Sequence, residues 1–86
     1  TGRFWVYILQ CDDGTYYTGY TNDLAKRIKE HSQGSRGAKY LRGKLPVKLV
    51  YVKEYQYYKK AVQEEARIKK LRRYQKERLV NGFKAI

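Results

Sequence analysis

Residues 3–10, RFWVYILQ, form an almost unbroken run of aromatic, β-branched and other apolar side chains, which predicts a strand covered on both faces. Residues 15–20, TYYTGY, predict its partner. Between them, Asp12-Asp13-Gly14 fits a three-residue hairpin loop with glycine in the left-handed position, the alternative being a two-residue turn at Asp13-Gly14. The longer loop, adopted here, sets Cys11 opposite Thr15, Leu9 opposite Tyr17 and Tyr7 opposite Gly19. Trp5, Tyr7, Leu9, Tyr17 and Gly19 then share one side of the hairpin. The shorter turn would send Tyr7 and Tyr17 to opposite faces, because side chains alternate with period two.

Thr21-Asn22-Asp23 offers helix-capping side chains, and Leu24, Ile28 and His31 then recur at helical spacing, predicting a helix to about Ser32. Arg27 lies one turn before His31, at the edge of the same face. Residues 33–46 carry three glycines and the only proline, and read as a connector. Residues 47–55, VKLVYVKEY, alternate well enough for a third strand. From Tyr57 to about Val80 the pattern predicts one long helix with Ala61, Ile68, Leu71 and Leu79 on its apolar stripe. The chain, residues 1–86, is therefore expected to be a single α+β domain of order β-β-α-β-α with a small, mainly antiparallel sheet.

One residue breaks the last stripe. On a helical wheel Glu65 falls about 40° from Ala61 and about 60° from Ile68, whereas Glu64 lies toward the edge. A carboxylate pointed inward needs a cation, a metal or a hydrogen-bonding cluster to meet. Arg72 and Arg27 are candidate partners. Tyr7, Tyr17, Arg27, His31 and Glu65 are thus expected to converge on one side of the sheet. These groups can supply what phosphodiester cleavage needs: activation of water, a cation for the developing charge, and an acid that holds a metal.

Charge sharpens that picture. Twenty Lys and Arg against eight Asp and Glu give a formal charge of +12, well beyond the magnitude of about 2 to 8 that keeps a small domain soluble. A polyanion, nucleic acid first, is the expected partner. No apolar run approaches the roughly 18 residues of a transmembrane helix, so a membrane partner is not expected. The single cysteine, Cys11, forms no internal disulfide and reads as a packing residue, which suggests a reducing, cytoplasmic setting.

The motifs also carry a resemblance. "WVY" at Trp5 to Tyr7 and "YTG" at Tyr17 to Gly19 resemble the paired motifs of the GIY-YIG nuclease superfamily. The likeness continues through "NDLAKRIKEH", with Arg27 and His31 at family positions, and ends in "AVQEEARIKKL", where the spacing from alanine to acid selects Glu65. It looks closest to the small stand-alone bacterial members called YhbQ-like. Trp5-Val6 and Thr18 depart from the family pattern, and no serine or threonine caps the final helix. The resemblance implies a three-stranded antiparallel sheet flanked by helices and a metal-dependent endonuclease that hydrolyses DNA phosphodiesters. In it Glu65 would hold one Mg²⁺ or Mn²⁺, Arg27 would neutralise the phosphorus centre, Tyr7 or Tyr17 would orient or deprotonate water, and His31 would assist.

Two further expectations concern the surroundings. Gly19, opposite Tyr7, is expected to leave room for a phosphate beside the phenols. Arg36, Lys39, Arg42 and Lys44, with Tyr40, would grip backbone and stack on bases. The competing reading is a basic nucleic-acid-binding module that keeps this fold without chemistry.

Overall fold

The computed structural model describes residues 2–33 and 46–84. Strands β1 (Phe4–Gln10) and β2 (Tyr16–Thr21) precede helix α1 (Leu24–Gln33). Strand β3 (Lys48–Tyr55) and helices α2 (Tyr58–Lys69) and α3 (Arg73–Lys84) follow. The strands form one antiparallel sheet in the order β2-β1-β3. The architecture is α+β, as the sequence predicts.

The hairpin has the longer loop. Leu9 pairs with Tyr17 and Tyr7 with Gly19, and the Cys11 amide donates to the Thr15 carbonyl across the loop mouth. Gly14 adopts a φ of 86°, the left-handed region that a side chain disfavours. Asp13 Oδ1 accepts from both the Thr15 amide and hydroxyl, which closes the loop.

Alternation along β1 builds two cores, one on each face. Val6 and Ile8 meet Val50, Ala61 and Ile68 together with Val80, so α2 and α3 cover that face. Tyr7, Leu9 and Cys11 meet Leu24 and Ile28, so α1 covers the other. Cys11 is buried, in keeping with a packing role.

The expected long helix is in fact two. The chain leaves α2 at Lys70 without a glycine or proline, and Leu71 folds back against the core. The amide of Arg72 then donates to Gln75 Oε1 at 2.9 Å, the half of a capping box in which the third helical residue reaches back to the cap. Arg73 clips the new helix to the hairpin: its guanidinium donates to the Gly14 carbonyl at 2.9 Å and lies 4.9 Å from the centre of the Tyr16 ring.

Candidate active site

The site begins with a missing side chain. A Cβ on Gly19 would lie 2.6 Å from the Tyr7 hydroxyl oxygen and 2.8 Å from the ring carbon that bears it. Only glycine lets the Tyr7 ring lie across β2 at this pair. The space expected for a phosphate is therefore filled by the phenol itself, which is only 1% exposed.

Helix α1 brings the next two groups. Asp23 caps it, Oδ1 accepting from the Lys26 amide at 3.1 Å. One turn on, Arg27 reaches Glu30 Oε1 at 3.2 Å and lies near enough to Tyr7 for its charge to act on the phenol. One turn further, His31 is wholly buried, with Nε2 2.9 Å from the same hydroxyl. The Tyr17 ring packs edge-on against the imidazole at 5.4 Å between centres.

Burial sets the protonation of this group. Loss of solvent pushes the Tyr7 phenol up to about 12, against the lowering effect of Arg27. Burial, aided by the Arg27 charge, lowers the His31 imidazole below its ordinary value. Both rings are neutral near pH 7.

Glu65 arrives by another route than expected. It belongs to α2, which packs on the opposite face of the sheet from α1, so the five residues meet across the β2 edge rather than on one face. Its cation is neither Arg72 nor Arg27 but Lys69, one turn along at 3.5 Å. Burial does not separate Glu65 from Glu64, whose side chains are 15% and 20% exposed. Partners do. Glu64 is held by two bonds from Arg67, which lower its pKa, whereas Glu65 turns to a cleft.

That cleft measures about 650 Å³ and is lined by Tyr7, Tyr17, Gly19, Arg27 and Glu65, with His31 behind Tyr7. Among the described residues no group of three His, Cys, Asp or Glu could enclose a metal. A single carboxylate on an open wall suits a hard cation such as Mg²⁺, which keeps several waters and takes its other ligands from a phosphate. The donor set fits such a shared ion. Arg36, Lys39, Tyr40, Arg42 and Lys44 lie outside the described residues.

Sequence reasoning missed part of the lining. Phe4, Tyr20 and Tyr58, none of which the sequence assigns to the site, border the same cleft. The available signal was spacing: Tyr58 precedes Glu65 by seven residues, two helical turns.

Comparison with known proteins decides the family. Residues 3–78 match the model of the GIY-YIG catalytic domain. The chain belongs to that family. A UPF0213 protein of Halobacterium salinarum is 50% identical over 74 residues, covering 86% of this chain and 95% of that protein. The solution NMR structure of a UPF0213 protein from Bacillus halodurans shares 46% identity with a TM-score of 0.61, covering 92% of this chain and 83% of the other. That of a protein from E. faecalis shares 35% identity with a TM-score of 0.66, covering 100% and 91%. Membership makes this a nuclease-type domain, for which nucleic acid is the implied substrate. No helix among the described residues is long and apolar enough to cross a membrane.

Proposed function

We propose that this protein is an endonuclease that hydrolyses DNA phosphodiester bonds with the help of one divalent cation. The observation that carries the reading is the Tyr7 hydroxyl, hydrogen-bonded to His31 at 2.9 Å, in a cleft that Tyr7 lines together with Arg27 and Glu65.

Arginine can only donate, so with Arg27 beside the phenol Tyr7 on this reading directs its own proton to His31 Nε2, and the imidazole carries its proton on Nδ1. A phenol near 12 is a poor base alone. Coupled to a neutral imidazole it becomes a relay: an attacking water gives a proton to the Tyr7 oxygen as Tyr7 passes its own to Nε2. Arg27 stabilises the phenol oxygen and the charge growing on the phosphate. Tyr17, beside Tyr7 with ring centres 6.5 Å apart, orients the water. Glu65 would hold Mg²⁺ or Mn²⁺, which supplies Lewis-acid stabilisation of the phosphate and leaving oxygens.

The test is cleavage of DNA and RNA of several shapes, with Mg²⁺, Mn²⁺ or chelator, by the wild type and Glu65→Gln. Metal-dependent nicking of DNA that the substitution reduces at least about 100-fold, in a variant that stays folded, is expected. Equal activity in the variant, or activity in chelator, sinks the reading. Binding with steep salt dependence and no cleavage would instead identify a binding module.

A further inference from the structure

The cleft continues past the polar groups into an aromatic bay. Tyr58 stands at the start of α2 with Phe4 and Tyr20 as its ring neighbours, each 5.7 Å away between ring centres and at interplanar angles of 65° and 70°. The Tyr20 and Tyr58 hydroxyls share a hydrogen bond of 3.1 Å, which raises the Tyr20 pKa. Phe4 and Tyr20 are half-buried against the core, but Tyr58 leaves 55% of its surface open. The ring is thus held by two neighbouring rings and a hydroxyl contact and is still more than half exposed. That arrangement offers a firm stacking surface at little cost in side-chain ordering.

Position gives the surface a meaning. Tyr58 and Glu65 lie on the same side of α2, seven residues and about 10 Å apart along its axis. Stacked nucleotides advance about 3.4 Å per step along a strand, so the ring lies within about three nucleotides of a phosphate held at Glu65. With a net charge of +12, the chain favours a polyanion over an apolar peptide as occupant. Bases inside a duplex have both faces covered by their neighbours. Away from a duplex end, a ring at this place can stack only on a base that is unpaired.

We propose that Tyr58, braced by Phe4 and Tyr20, is a nucleobase-stacking subsite that selects single-stranded or locally unpaired DNA next to the cleaved bond. The substrate class rests on the nuclease reading above, but the stacking does not need catalysis.

The experiment measures binding in chelator, by fluorescence anisotropy, to a labelled single strand, to its duplex and to a strand of the same length with abasic sites. Wild type, Tyr58→Ala and Tyr58→Phe are compared, with thermal melts to confirm folding. The expected result is that wild type prefers the base-bearing single strand, and that Tyr58→Ala weakens that complex by about 5- to 100-fold. The duplex and abasic complexes should change by less than about twofold, since phosphate contacts remain. Tyr58→Phe, which keeps the ring and loses the hydroxyl, should bind like wild type.

Equal losses on all three ligands, no loss at all, or a wild-type preference for duplex would overturn the subsite. Should Glu65-dependent cleavage be present while Tyr58→Ala shows no base effect, the nuclease reading stands and this one falls. Base-dependent binding without cleavage would do the reverse.

Discussion

The hydroxyl of Tyr7 occupies the place where Gly19 would carry a side chain, so two residues paired across the β1-β2 ladder share one volume. Gly19→Ala must therefore displace a ring that is buried and packed, which is an overpacking change of about 1 to 3 kcal/mol. A melting temperature lower by about 4 to 8 °C for each kcal/mol is expected. The same displacement pulls the hydroxyl away from His31 Nε2, so cleavage should fall further than stability does. A melt and an assay on the same variant separate the two effects. Unchanged stability would show that the ring can move freely.

Tyr7→Phe removes one oxygen and leaves the packing. If the phenol relays a proton to His31, the turnover rate should drop by about 10²- to 10⁴-fold at constant fold, the range for a general acid-base group. Tyr17→Phe should cost less, because it orients water without transferring a proton. The reversed order of effects would move the relay to Tyr17.

The pH dependence of stability has a definite sign. His31 is the only histidine, and its folded pKa is lowered, so the unfolded chain binds its proton more readily. Its contribution is present above about pH 6.5 and is lost as pH falls through the lower folded value. Tyr7 behaves oppositely: its contribution is present below about pH 10 and is lost as pH rises through about 12. Urea midpoints between pH 8 and 5 should fall on acidification in wild type and much less in His31→Gln. Cleavage should decline over the same acid range as the acceptor nitrogen becomes protonated.

Thr18 carries a further prediction. It pairs with Ile8 and is 4% exposed, and its hydroxyl finds no hydrogen-bond partner among the described residues. An unsatisfied buried hydroxyl costs about 1 to 3 kcal/mol. Thr18→Val should raise stability by about 1 kcal/mol in chemical denaturation without altering cleavage, since the side chain faces away from Tyr7. A destabilised variant would mean that the hydroxyl has a partner in solution.

Legibility followed the range of the interactions. The hairpin register was readable because Gly14, the loop length and the apolar alternation all act within a few residues. Tyr7, Tyr17, Arg27 and Glu65 could thus be assigned to one neighbourhood. The break after α2 was not readable: Lys70, Leu71 and Arg72 contain no helix breaker, and the turn is held by Gln75 and by Arg73 on the distant hairpin. The choice of Lys69 as partner for Glu65 was likewise hidden, because the wheel gives direction but not which flexible cation extends along the helix. The aromatic bay escaped notice because Phe4, Tyr20 and Tyr58 come from three elements and meet only at the sheet edge.

That edge has a consequence for how the molecule matures. The acid comes from a helix on one side of the sheet and the phenols, guanidinium and imidazole from the other, so a half-assembled chain with either helix undocked presents strands but no complete constellation. If the nuclease reading holds, hydrolytic capacity requires both layers to have closed, so a chain with either helix undocked should lack it.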